Sequence, residues 1–225
     1  IAYTNKNNSK MKVLVEKGNI KYNYDFDGKG KYENYSLNMG DGDYNIYLLE
    51  NNEGKNYVII DEWNITAEIN NKNTLYTISN KIVNYENSDA VIEKAKILTK
   101  GLKLDGDKAK AIYNYIINNI KYDLKKQKSL PVGYVPNIEN ILNSKTGICY
   151  DFATINAGML RSVGIPTKLI MGTSKKVKGY HAWNEIFINK KWVIEDTSFD
   201  SQATQVKAKI SMYKLSSDYN KQKQY

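Results

Sequence analysis

One cysteine, Cys149, and one histidine, His181, stand in a chain of 225 residues. Chemistry that needs a thiolate must therefore use the first, and chemistry that needs an imidazole must use the second. A thiolate attacks acyl carbon, an imidazole carries the proton, and a carboxylate fixes the imidazole's tautomer and orientation. Asp196 is the carboxylate whose position suits that third part. Together the three residues have the composition of a cysteine nucleophile with its base and its orienting acid. A single cysteine also excludes an internal disulfide, and a lone thiol beside a lone histidine makes a poor zinc site.

The local pattern says how such residues are carried. Thr146-Gly147-Ile148-Cys149 leads into Tyr150-Asp151-Phe152-Ala153, and apolar residues at Phe152, Ala153, Leu160 and Val163 continue one face until Gly164 and Pro166 stop it. The spacing predicts a helix that begins at the cysteine, where unpaired N–H groups and the positive end of the dipole favour thiolate. Short strands are predicted at Leu169–Gly172, His181–Ile188 and Trp192–Glu195, turning at Asn189-Lys190-Lys191. In that hairpin, position 185 faces 195 and 181 faces about 199, so Asp196 falls in the half occupied by His181. Adjacent strands lie about 5 Å apart, within reach of a His–Asp hydrogen bond. Residue type and order alone leave a structural role open for each of the three: a small buried thiol, a strand histidine, a turn aspartate.

Before residue 88 the pattern differs. Ile20, Tyr22, Tyr24 and Phe26 alternate with Lys21, Asn23 and Asp25, which predicts a half-buried strand. Tyr44–Leu49 and Tyr57–Ile60 flank Asn51-Asn52-Glu53-Gly54 and predict a hairpin, and Ile65, Ala67 and Ile69 alternate as a further strand. Two helices follow, one over 89–100 ending at Gly101 and one capped by Asp107, with Ala109, Ile112, Tyr113, Ile116 and Ile120 on a single face. A loop with Pro131, Gly133 and Pro136 leads to a short helix at Ile138–Leu142. The Lys-rich segment after Ser201 reads as a loosely packed extension. The expected division is a β-rich accessory module over 1–84 and a catalytic domain over 85–225.

Three local sequences, in order, carry more weight. Gly147-Ile148-Cys149, His181-Ala182-Trp183-Asn184-Glu185 and Trp192-Val193-Ile194-Glu195-Asp196 resemble the G-x-C, H-x-W-x-E and W-x-x-x-D motifs of the transglutaminase-like superfamily. The resemblance spans about 88–200 and includes Ile120-Lys121-Tyr122-Asp123. It implies an α+β fold with a papain/transglutaminase-like core, in which a nucleophile helix packs on an antiparallel sheet, here preceded by the small β-rich module. It implies Cys149 as nucleophile, His181 as base and then acid, and Asp196 as orienter. That family usually shows Asp-Pro-Thr at the third motif; this chain has Asp196-Thr197-Ser198. The resemblance also sets Tyr122 near the nucleophile as a donor to an oxyanion, beside a plain packing role. Trp183 is a candidate wall of the acyl channel, with core burial as the alternative.

The implied reaction is thiol-dependent acyl transfer on protein or peptide amides, glutaminyl or peptide-bond, through a thioester. A primary amine is the second substrate for transfer, and water gives deamidation or proteolysis. Two alternatives stand beside transfer: a cysteine protease or amidase acting on envelope peptides, and a cell-surface binding module with an inactive triad. No cofactor or metal is expected. Asp41-Gly42-Asp43-Tyr44-Asn45 begins like a calcium loop, but Ile46 stands where glycine is required and Asn52 where glutamate should close the shell. The net charge is +9, yet Arg161 is the single arginine, so base-edge reading of nucleic acid is not expected. No apolar run is long enough to span a membrane. The start at Ile1 is explained equally by a cleaved secretion signal and by trimming for expression; a secreted or surface location in a bacterium, in contact with the envelope, is the expectation.

Overall fold

The computed structural model describes residues 1–225, which divide into two compact units, Ile1–Lys72 and Asn73–Tyr225. The first unit is a four-stranded antiparallel sheet of β1 (Met11–Lys17), β2 (Ile20–Phe26), β3 (Gly42–Glu53) and β4 (Asn56–Ala67), in the order β2-β1-β3-β4. Its core follows from period-two alternation: Met11, Val13, Val15, Tyr22, Tyr24, Phe26, Tyr44 and Leu48 are buried. Ile20 opens β2 beside a turn and is exposed, so the alternation begins one pair later than its apolar residues suggest. The hairpin at 51–54 forms as expected. The further strand expected at 65–69 does not, because Ile65 and Ala67 continue β4 in register with β3, Tyr44 facing Ile65, and Ile69 lies beyond its end.

The second unit is helical before it is sheet. α1 (Asp89–Thr99) and α2 (Asp105–Asn119) come first, then the two-residue β5 (Lys121–Tyr122), α3 (Leu124–Lys128) and α4 (Ile138–Ser144). β6 (Thr146–Gly147) pairs with β5 in parallel and delivers the chain to α5 (Cys149–Ser162). β7 (Thr167–Ser174), β8 (Val177–Ile188), β9 (Lys191–Glu195), α6 (Thr197–Gln205), β10 (Tyr213–Lys214) and β11 (Tyr219–Gln224) complete the unit. The sheet is antiparallel with the order β10-β9-β8-β7-β11, and α5 packs across β7 and β8 with α1, α2, α4 and α6 around it. Every residue of α5 from Asp151 to Arg161 is buried. A helix covered on all sides must be narrow as well as apolar. A Cβ at Gly158 would stand 2.8 Å from Ile138 Cδ1, so glycine sets how closely α4 approaches.

Three expectations need correction. The unit boundary lies at Lys72, not 84. Residues 73–84 belong to the second unit because Tyr76, Ile82 and Val83 are buried there and Tyr76 packs edge-on against Trp192 at 5.5 Å. Asp107 is not a cap: α2 starts two residues earlier after Leu104, and Asp107 lies in its first turn. The segment after Ser201 is not loose, since it supplies the end of α6 and both outer strands of the sheet.

Arg161 ties these late and early segments to α5. It is 2% exposed and donates to the carbonyls of Thr167 at 2.9 Å, Ile78 at 3.0 Å and Tyr225 at 2.9 Å. Burial pulls its guanidinium down to about 10, leaving the charge in place at neutral pH. Lysine cannot satisfy three carbonyls arranged around a planar fork. Arg161→Lys should therefore cost about 2 kcal/mol or more, read as a lower urea midpoint at unchanged slope; an unchanged midpoint would show that the clamp contributes nothing.

Candidate active site

Cys149 is the first residue of α5 and is partly exposed. The N-cap, Ile148, offers no side-chain acceptor, so the N–H groups of the first turn are not consumed by a cap. Instead Asp151 reaches back and accepts from the Ile148 N–H at 2.8 Å. This carboxylate is wholly buried, yet Lys126 pairs with it at 2.6 Å and the Tyr134 hydroxyl donates to it at 2.5 Å. Gly147 is needed for the same contact, because a Cβ there would lie 2.6 Å from Asp151 Cβ. The glycine two residues before the thiol is thus a packing requirement of the acid two residues after it.

His181 lies on β8 opposite Gly172 of β7 and is 3% exposed. Its Nε2 is 2.7 Å from Asp196 Oδ2, and Cys149 is its other hydrogen-bonding neighbour, which leaves Nδ1 for the thiol. The observed register sets Asn184 opposite Glu195, one step from the expected pairing. Asp196 therefore follows the strand rather than ending it. It is the N-cap of α6, with Oδ1 accepting from the Phe199 N–H at 3.0 Å and the Ser198 hydroxyl at 3.1 Å. Thr197 occupies the first helical position, where proline is also favoured, so the substitution in the third motif leaves the cap intact.

The electrostatics follow from burial with pairing. Burial opposes the imidazolium, but the hydrogen bonds and charges of Asp196 and Cys149 outweigh it and push His181 up to about 10. Burial alone would favour neutral Asp196. The bond and charge of His181, the Phe199 N–H and the Tyr219 hydroxyl hold it below the usual carboxylate range.

Tyr122 and Trp183 take different places. β5 carries Tyr122 alongside Gly147, and its phenol lies beside Cys149, near both the backbone N–H and the thiol. Trp183 is 1% exposed, stacked on His181 with ring centres 6.2 Å apart, in a core of Ile170, Ile194 and Tyr219. That burial fits a packing role better than the wall of an open channel.

A buried polar network that the motifs did not single out joins the three elements. Asn184 donates to the carbonyls of Ala153 at 2.9 Å and Lys168 at 3.1 Å, which leaves its oxygen to accept from Asn156 at 3.0 Å. Asn156 donates also to Glu195 Oε2 at 2.9 Å. The only signal available in sequence was spacing: Asn156 lies two helical turns from Cys149, and Glu195 adjoins Asp196. Glu195 Oε1 has no hydrogen-bond partner. Burial, and the nearby Asp200 charge, raise this carboxyl to about 8.

Residues 92–197 match the family model of the transglutaminase-like superfamily, a span that runs from α1 to the start of α6 and contains Cys149, His181 and Asp196. This part of the second unit is similar to that superfamily. A candidate cysteine protease from Cytophaga hutchinsonii superposes with a TM-score of 0.51 at 16% identity, over 88% of this chain and 68% of that one. The periplasmic domain of TgpA from Pseudomonas aeruginosa gives a TM-score of 0.48 at 12% identity, over 88% of this chain and 89% of that one. At such identities the likeness concerns fold alone. A comparison with curated proteins gives no match.

Glu195 yields a prediction about stability. Its folded value, about 8, lies above the ordinary 4.5, so the folded chain holds a proton that the unfolded chain has released. Stability must therefore fall as pH rises between those values. Glu195→Gln cannot ionise, and its melting temperature should gain on the wild type from pH 5 to pH 9; parallel curves would mean that Glu195 is charged throughout.

Proposed function

We propose that the second unit catalyses thiol-dependent acyl transfer on protein or peptide amides. The observation that carries this reading is the 2.7 Å contact of His181 with Asp196 beside a helix-initial Cys149. The Cys149 sulfur attacks the amide carbon, and the carbonyl oxygen takes the negative charge. The Cys149 N–H and the Tyr122 hydroxyl are the donors for that oxygen. The C–N bond then breaks, His181 gives its proton to the leaving nitrogen, and a thioester to Cys149 remains. A primary amine or water attacks the thioester, His181 takes the incoming proton, and the thiol is restored. An amine gives a new amide bond, and water gives deamidation or peptide cleavage.

Asp196 stays ionised throughout and orients the ring. We assign residues 1–72 an accessory role, because no residue of the candidate triad lies in them. The net charge of +9 suits an anionic surface, in keeping with a secreted or cell-surface enzyme. No helix is long and apolar enough to cross a membrane.

A glutaminyl peptide offered with and without a primary amine tests the chemistry by mass spectrometry. We expect a thioester adduct on Cys149, an amine-linked product when amine is present, and a deamidated peptide when it is not. Cys149→Ala should lose all three, and turnover undiminished in that variant would end the proposal.

A second test uses pH. His181 keeps its proton until about 10, so the imidazolium needed for acylation is present at neutral pH and lost above that value. The basic limb of kcat/KM should accordingly fall near pH 10. A limb near the ordinary value of 6.5 would mean that Asp196 and Cys149 do not hold the imidazolium proton as the geometry implies.

A further inference from the structure

β11 lies outside the span that matches the family model, and it brings one side chain to the candidate site. The Tyr219 hydroxyl donates to Asp196 Oδ2 at 2.9 Å, the same oxygen that meets His181 Nε2 at 2.7 Å. The Tyr219 ring packs on Trp183 with centres 5.0 Å apart, and Trp183 in turn stacks on His181. Asp196, His181, Trp183 and Tyr219 thus form a closed circuit of contacts, with a single carboxylate oxygen where its two ends meet.

The backbone is built to bring β11 this close. Tyr219 pairs with Ser174 and Asn220 with Thr173 of β7. At Gly172 a Cβ would stand 2.1 Å from the Asn220 carbonyl oxygen and 3.0 Å from the Trp183 ring, so any larger residue would push β11 away. Burial and the Asp196 charge raise the Tyr219 phenol, which keeps it a donor across the working range.

We propose that Tyr219 is a positioning residue for the reaction: its hydroxyl shares the Asp196 carboxylate with His181, fixing that carboxylate and limiting how strongly it holds the imidazolium proton. The proposal rests on the reading of Cys149, His181 and Asp196 as the reacting set. A neutral donor on Oδ2 draws off part of the carboxylate's charge. Without it the whole charge bears on His181, the ring holds its proton more tightly, and the step that needs neutral imidazole slows. The other titratable groups facing the pair are Cys149 from α5, Tyr122 from β5, Tyr113 from α2 and Asp200 from α6. None of them is altered by removing the hydroxyl.

The chain has one histidine, so its imidazole resonance can be followed through pH by NMR without ambiguity. In Tyr219→Phe, which keeps the ring against Trp183, the His181 titration should move to higher pH. Turnover of a glutaminyl peptide should drop about tenfold in kcat, the scale of one lost hydrogen bond, with KM nearly unchanged. Tyr219→Met, which fills the space without a hydroxyl, should move the titration the same way, and a thermal melt of each variant shows that it is folded. Asp196→Asn should move the titration to lower pH. If Asp196→Asn moves it and neither Tyr219 variant does, the role of Tyr219 is overturned and the reading of the triad stands. If Asp196→Asn leaves it unmoved, the His181–Asp196 pair does not operate, and both fall.

Discussion

A charged pair removed from water is expensive unless every lone pair and proton finds a partner. The His181–Asp196 contact is such a pair, with side chains 3% and 0% exposed. Much of the second unit can be read as the means of satisfying it. The N-terminus of α6 supplies an N–H and a favourable dipole to Asp196, Ser198 and Tyr219 supply hydroxyls, and Trp183 closes over the imidazole. The neighbouring acid, Glu195, solves the same problem differently. It has one amide donor and no cation in contact, and it is driven toward the neutral form. Two adjacent carboxyls, 195 and 196, are thus held in opposite states by environment alone.

The parts of the candidate site legible in sequence were those whose residue type the proposed chemistry dictates. That chemistry calls for a thiol, an imidazole and a carboxylate, and the chain offers one of each of the first two. The register of the β8–β9 hairpin could be drawn to within one residue because its turn residues and apolar strands are unmistakable. What stayed hidden has a common physical character. α6, Thr-Ser-Phe-Asp-Ser-Gln-Ala-Thr-Gln, buries Thr197, Ser198, Asp200 and Ser201, so it lacks the apolar stripe that announces a helix. β11, Tyr-Asn-Lys-Gln-Lys-Gln, is an edge strand whose outward polarity imitates a loop. Asn156 and Asn184 look like surface residues until their amides are seen to face each other inside the protein.

The unit boundary was misplaced for a related reason. The change of pattern near residue 88 marks where helices begin, not where the second unit begins. Residues 73–84 hold their place through backbone carbonyls and single aromatic contacts, such as the Ile78 carbonyl on Arg161 and the Tyr76 ring on Trp192. Such contacts leave no periodic trace. Arg161 was noted in sequence only as the lone arginine; its place among three carbonyls explains why that residue, in a chain otherwise provisioned with lysine, is arginine.

The position of β11 bears on how this protein comes into being. Synthesis delivers α5 first, then β8 with His181, then Asp196, and only afterwards the strand that docks beside β7 and brings Tyr219 to that carboxylate. Contacts spanning such separations close late, because the entropy of the intervening loop must be overcome first. A growing chain would therefore carry its thiol and its imidazole without the last anchor of the aspartate. The carboxylate would then meet the imidazole before it meets the phenol, and the Asp196–Tyr219 contact would be among the last of the second unit to form.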